Sequence, residues 1–475
     1  MSARSGHRGR YDDTDLHRGD RGRVPRDVMG MVEELRQVLS GRLLTPAAAD
    51  WEQARRGWNL SVDQRPLAVV EAAGPSDIEQ TVAYAGARGL KVAAQAGGHG
   101  ATPALDGTIV VRTGALDEIW VDSQARVARV GAGVRWGSVQ TALDGTGLTG
   151  LPGSTGNISV VGFCTSGGFS WFTRPYGSGA ASLRAAELVD GAGARRWIDD
   201  ATDPDLMWAL RGGGGNFGVV TSVEVDLHPA PAITSARLMF PIGQAAAVLT
   251  AYAKATQEAA EQVTLWAYLI HYPHSPDLPD DVRGKSFCVV DAMTPYRPEA
   301  LEGVLSTIRA AGTPVTDTIQ SLRPSGVGEM NSVPAPPQAL SLITSTFDEL
   351  TPDLIDTLLE YGGKPSLIFQ VQIRHLRAGA EANRPGVGAA DPAAQYMVLA
   401  VSIVPVPELQ QPVESALRAL QEALSPWRAG RMPPTGLSAW NTLRDCYGGP
   451  DLARLREIKQ RVDPHGTLVG NFPIP

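Results

Sequence analysis

The stretch "QAGGHG" (residues 95–100) sets one imidazole, His99, among Gly97, Gly98 and Gly100, directly after the apolar run "LKVAA". Glycines there let backbone approach a partner closely. An imidazole among them can bond to whatever lies against it or exchange a proton with it. No second His, Asp or Cys stands near His99 at metal-ligand spacing. No G-x-S-x-G elbow and no G-x-x-x-x-G-K-[ST] loop occurs either, which removes the common hydrolase and P-loop explanations. Two more segments share the glycine-rich, weakly charged character. "LPGSTGNISVVGFCTSGGFSWFTRPYG" carries Pro152, Gly153, Ser154, Thr155, Gly162, Gly167 and Gly168. "WALRGGGGNFGVVTSVEVDLHP" carries Gly213, Gly218, Val219 and Val220. Exposed N–H groups at such turns form nests that hold an anion, a diphosphate included, without lysines.

A dinucleotide fingerprint of the Rossmann kind is a poorer account of these glycines. "GAGVRWG" (131–137) follows a strand and precedes a helix, but its spacing is G-x-G-x-x-x-G and no acidic residue ends a second strand at the right distance. "GTGLTG" (145–150) follows a helix, and "GGGNFG" (213–218) precedes a strand, so both stand in the wrong context. Turns and close backbone packing explain them.

The elements that must position these segments read as α+β. "PLAVVEAAG" and "LKVAAQAGG" are short buried strands, separated by the helix "PSDIEQTVAYAGARG", with Ser76 placed to cap it and Gly89 to end it. "GTIVVRTGAL", "EIWVDS" and "ARVARVGAG" are successive strands, and "WGSVQTALDGTG" is a short helix. "FGVVTSVEVDLHPAP" alternates as a strand until Pro229 and Pro231. Beyond it come the strands "VTLWAYLIHY", "SFCVVDAM", "SLIFQVQIRHL" and "MVLAVSIV", the last apolar enough to be central. "HYPH" (His271 and His274), interrupted by proline, reads as a loop. The division that follows is a disordered tail over 1–28, one domain over 29–231, a second over 232–425, and a C-terminal segment over 426–475 that returns to the first.

The 475 residues, 43% apolar and 19% charged, suit a globular chain of two or three domains. A net charge of −8 argues against a nucleic-acid or anionic-membrane partner. No stretch approaches the roughly 20 apolar residues of a membrane span. The three cysteines are scattered, so reduced thiols in a cytoplasm are the simplest reading, and oligomeric state stays open.

Nests without lysines are one way for a fold other than Rossmann's to hold FAD. From about Thr45 onward the chain resembles the FAD-linked oxidases of the vanillyl-alcohol oxidase type, within them the berberine-bridge-enzyme-like branch with its bacterial biosynthetic and nicotine oxidases. "WALRGGGGNFGVVTSVEVDLH" and "GGHG" carry the resemblance. It implies a two-part FAD-binding domain and an antiparallel-sheet substrate domain covered by helices. It implies covalent attachment of the flavin through His99. Aligned ungapped, Thr155 stands where bicovalent relatives place a second, cysteine link, and Cys164 comes later, so a single link is expected. Gln95 replaces a frequent Arg, Ser159 a usual glycine, and "GNFPIP" keeps Asn471 but puts Pro473 at the tail's second Asn.

The resemblance also suggests where acid–base chemistry sits. Some relatives carry a glutamate on the strand matching "IFQVQIRHL"; here the position is Gln372, which cannot serve as a carboxylate base. Tyr176, after "TRP", stands where the family often has a tyrosine over the flavin. Tyr268 and His375 lie on substrate-domain strands, where alternation decides whether they face the flavin or only pack. The implied activity is oxidation of a small natural-product intermediate, with hydride passing to flavin N5 and O₂ reoxidising it to give H₂O₂. The lost glutamate and altered tail keep open a non-redox cyclisation or elimination, with the flavin as a structural wall. An empty, degenerate flavin site in a binding protein fits the intact glycine segments poorly.

Overall fold

Apolar on both faces, the run "PLAVVEAAG" must be covered on both sides. Its strand Ala68–Glu71 lies between Arg42–Leu44 and Ile109–Arg112, with Val92–Ala94 beyond, in a computed structural model of the chain that describes residues 26–330, 336–376, 388 and 394–475. The pairs 68–71 with 109–112 and 92–94 with 109–112 are parallel, so the chain crosses over through the helix Pro75–Arg88. That helix stops at Gly89 in the left-handed conformation (φ 68°), as its sequence predicts. Its start differs from expectation. Gly74 is the cap and Pro75 takes the first helical position, so Ser76 lies inside the first turn. Most of the expected tail lies outside the described residues, and the helix Arg26–Leu35 begins within its last three.

A second, antiparallel sheet runs Ile119–Asp122, Val127–Gly131, Val219–Asp226, Leu183–Val189, Arg195–Asp199 in spatial order. The helices Trp136–Ala142, Val160–Thr165, Pro204–Gly213 and Gly449–Val462 share its apolar core. These two sheets make up the two-part N-terminal region.

The third sheet has seven strands, all antiparallel: Thr316–Leu322, Ile233–Pro241, Ser286–Thr294, Thr264–His271, Gln370–His375, Tyr396–Ile403 and Leu340–Phe347. "MVLAVSIV" is paired on both sides but lies one strand in from an edge, not at the centre. His271, expected in a loop, ends its strand instead; its ring is bonded to Ser286 Oγ (2.7 Å) and to the Gly362 carbonyl (2.9 Å).

Strand period decides the two faces of this sheet. On Thr264–His271, Leu265, Ala267 and Leu269 pack under the helices Ala245–Glu258, Glu302–Arg309, Pro352–Gly362 and Gln410–Ala423. Trp266, Tyr268 and Ile270 point the other way, toward Leu151, Trp171 and Phe172 of the N-terminal region. Trp171 stacks on Trp266 with ring centroids 3.6 Å apart, so the sheet's open face is joined to the first domain by aromatic packing. Among the described residues no helix is long and apolar enough to cross a membrane.

Candidate functional site

All three glycine-rich segments reach one cavity of about 1160 Å³ between the two N-terminal sheets and the open face of the seven-stranded sheet. Gly97, Gly98, His99 and Gly100 line it, with Gly153, Ser154, Thr155, Gly162, Gly213, Gly218, Val220 and the tail residue Asn471. Four residues expected with them do not. Val219 alternates away from Val220 and packs in the core of the small sheet. Gly168 serves packing: a Cβ there would stand 2.5 Å from the Phe163 ring. The Gly167 carbonyl accepts the Ala180 N–H (2.8 Å), and Pro152 is buried outside the lining.

His99 is held as a neutral ring. It stacks on Trp58, with centroids 4.2 Å apart and planes 16° off parallel. Burial, then the nearby Arg135 charge, push its pKa down to about 4, against a bond to the Asn157 backbone that works the other way. Its buried Nε2 has no hydrogen-bond partner, and neither has the buried Oε1 of Gln95, whose Nε2 donates to Gln64 Oε1 (2.9 Å). Unpartnered polar atoms on a cavity wall are points to which a ligand or a water can bond.

The backbone around these atoms is shaped to receive one. Along Gly212, Gly213 and Gly214 φ alternates in sign (133°, −82°, 61°), the kind of curl that aims successive N–H groups at an anion. Added Cβ atoms at Gly214 and Gly215 would meet nothing within 4 Å, so this loop faces open space. The C-terminal tail ties it to the His99 loop. Asn216 Nδ2 donates to the Gly213 carbonyl (2.8 Å) and the Phe472 carbonyl (2.9 Å). Asn471 Nδ2 donates to the Gly100 carbonyl, and Thr102 Oγ1 donates to the Asn471 carbonyl (2.5 Å). These groups fit FAD: a glycine cradle, a curled anion loop and an imidazole with a free lone pair.

The acid–base candidates separate on inspection. Gln372 lines the cavity. Tyr268 is on the same face, opposite Gln372 in register, but sits within the apolar cluster beneath the lining. His375, three positions from Gln372, falls on the other face, its Nε2 2.6 Å from Arg174 Nη1 and its ring beside Tyr396. Tyr176 is placed differently from the expectation. At the end of the short helix Thr173–Tyr176, its hydroxyl donates to the Pro229 carbonyl and its ring stacks on His228 at 4.5 Å, outside the cavity lining. Tyr176→Phe is accordingly expected to leave flavin content and turnover unchanged while costing about 1 kcal/mol of stability. Thermal melting and steady-state assays check this, and a hundredfold fall in turnover would return Tyr176 to the site.

Sequence reasoning passed over Gln370 and Arg374, which line the cavity on either side of Gln372. The signal was available, since residues two apart on a strand share a face. Trp58, under His99, had none. Cys164 is fully buried in the second sheet's core, outside the lining, and burial pushes its thiol pKa up.

The geometry now meets known proteins. Residues 66–199 match the model of an FAD binding domain. The chain is 31% identical over 240 residues to the FAD-dependent monooxygenase FUP4 of Fusarium proliferatum, covering 49% of this chain and 45% of that one. It is 29% identical over 230 residues to the (R)-6-hydroxynicotine oxidase of Paenarthrobacter nicotinovorans, covering 47% and 50%. The aligned part thus spans about half the length of these curated relatives. The structure of the wild-type berberine-bridge-enzyme-like protein 1 of Physcomitrella patens superposes with a TM-score of 0.82 at 18% identity, over 94% of this chain and 99% of that one. With its FAD-binding domain and a fold shared along nearly its whole length, the chain is a relative of the FAD-linked oxidoreductases, of the vanillyl-alcohol oxidase and berberine-bridge-enzyme-like fold.

Proposed function

We propose that this chain holds FAD covalently through His99 and oxidises a small natural-product intermediate in biosynthesis. The observation that carries the reading is His99 itself: a neutral, stacked imidazole whose buried Nε2 lacks a partner, set in a glycine cradle on a cavity large enough for cofactor and substrate together. Bound FAD would supply a hydride acceptor at N5, with O₂ as the final oxidant and H₂O₂ as its product.

The chain's own residues supply attachment, position and exclusion of water. Depressed to about 4, the His99 pKa leaves a ring nitrogen unprotonated at neutral pH, which bond formation at that nitrogen requires. Gly97 to Gly100 and the Gly212–Gly215 turn let backbone close on a flat, phosphate-bearing molecule. On the sheet side Gln370, Gln372 and Arg374 face the cavity. Two amides and a guanidinium do not take up a proton near neutral pH. This wall therefore orients the substrate, and the reaction suits an alcohol, amine or activated C–H that needs no carboxylate base there. The described cysteines are all unpaired and buried, which supports a reducing, cytoplasmic setting.

The test is an anaerobic titration of the purified protein across alcohols, amines and activated C–H compounds. Bleaching of the flavin's visible band by one class, with recovery and H₂O₂ on admitting oxygen, is the expected result. A colourless protein that takes up no FAD would overturn the assignment. Product formed without bleaching would make the flavin a bystander.

A further inference from the structure

We infer that the substrate carries a carboxylate and that Arg374 receives it. This deepens the reading of the cavity as the substrate site and rests on it. The side chain of Arg374 lies on the cavity wall, 7% exposed, its guanidinium 4.2 Å above the Trp266 ring. Nε and Nη2 both donate to one oxygen, Gln372 Oε1, at 3.0 and 2.7 Å. Nη1 has no partner among the described residues.

Other buried or half-buried arginines in the described residues are compensated. Arg55 meets Asp63 (2.6 Å) and Arg211 meets Asp200 (2.7 Å). Arg112 donates to the carbonyls of Gln95, Ala54 and Arg56, and Arg174 to those of Val263, Ala259 and Ala260. Arg374 has a single amide oxygen. The carboxylates that line the same cavity do not serve it: Asp63 is engaged by Arg55 and Arg65, Glu414 accepts from Gln410, and Asp277 is exposed on the loop after His274. Arg374 is the sole lysine or arginine among the described lining residues.

Its neighbours extend the preference for an acceptor. An arginine has no acceptor atom, so Gln372 must turn Oε1 toward it. The Gln372 amide N–H then points along the strand and donates to Gln370 Oε1 (3.0 Å). Gln370 in turn is left with its own NH₂. The row Arg374, Gln372, Gln370 therefore ends in N–H groups at both ends, and a planar, two-oxygen anion matches a guanidinium edge best. Burial lowers the Arg374 pKa to about 10, which still leaves it charged at neutral pH. A buried charge without a counter-charge is costly to a fold, and a ligand that supplies the counter-charge offsets that cost.

Isothermal titration calorimetry of the protein as purified decides the point, with benzoate against benzamide and cinnamate against cinnamamide at neutral pH. At least one carboxylate is expected to bind about tenfold or more tightly than its amide, a difference of about 1.4 kcal/mol. Arg374→Met and Gln372→Glu, which remove the charge or answer it internally, are expected to erase the preference, and Arg374→Lys to keep part of it. Without ligand, Arg374→Met is expected to melt at or above the wild-type temperature, because an unpaired buried charge is gone. Equal binding of acid and amide by the wild type overturns the inference. So does an Arg374→Met protein that melts well below the wild type yet keeps the carboxylate preference, since Arg374 would then be structural. The calorimetry reads the anion site whether or not flavin is bound, whereas the visible band alone decides the flavin assignment.

Discussion

On a denaturing gel, the His99→Ala protein is expected to run without flavin fluorescence, while wild type and Cys164→Ala both fluoresce. The effect is all or none, because a covalent bond survives denaturation and bound but unlinked FAD does not. His99 lines the cavity, stacks on Trp58 and keeps Nε2 free of partners. Cys164 is fully buried in the helix Val160–Thr165, outside the lining, with its thiol held protonated by burial. Thr155 lines the cavity but offers no thiol. Fluorescence remaining on the denatured His99→Ala chain would sink the attachment assignment. Fluorescence lost from Cys164→Ala would show that this loop supplies a second bond.

Gly98→Ala is expected to lower both flavin loading and melting temperature, by far more than a typical surface change. Gly98 sits at φ 78°, where an L side chain is strained by about 1–2 kcal/mol. The larger difficulty is space. A Cβ there would stand 2.5 Å from Gly57 Cα and 2.9 Å from Trp58 N, both backbone atoms that cannot rotate away. The two segments are also laced together, Trp58 N–H to the Gly97 carbonyl (3.0 Å) and Asn59 N–H to the Gly98 carbonyl (3.1 Å). Relieving the overlap must part these bonds and shift Trp58, the ring on which His99 stacks. Overpacking of this kind adds roughly 1–3 kcal/mol to the backbone strain. Gly107→Ala, also at positive φ (70°) but with nothing within 4 Å of its Cβ, isolates the strain alone. Equal melting losses in the two variants would mean that the contact with Gly57 is not what demands the glycine.

What could be read from the chain itself was what local chemistry dictates. Glycine leaves a backbone requirement wherever it occurs, so the His99 loop and the Gly212–Gly215 turn were visible as close-approach sites without any structure. Strand period is equally local, and it placed most of the strands now seen in the three sheets. The same period, applied outward from Gln372, implicates Gln370 and Arg374 and separates His375 from them, although it cannot say which face meets the cavity. That choice belongs to the tertiary structure. It depends on helices from 245–258 to 410–423 covering one side of the seven-stranded sheet and on Trp171 stacking against Trp266 on the other. Tyr176 shows the limit most plainly, for its partners, the Pro229 carbonyl and the His228 ring, lie on a segment more than fifty residues away. The tail's return was expected from the family resemblance and not from local periodicity; the structure supplies its contacts, Asn471 with Gly100 and Phe472 with Asn216. Local periodicity carries no information about such meetings, because they are set by which surfaces bury the most apolar area together, a property of the whole packed chain.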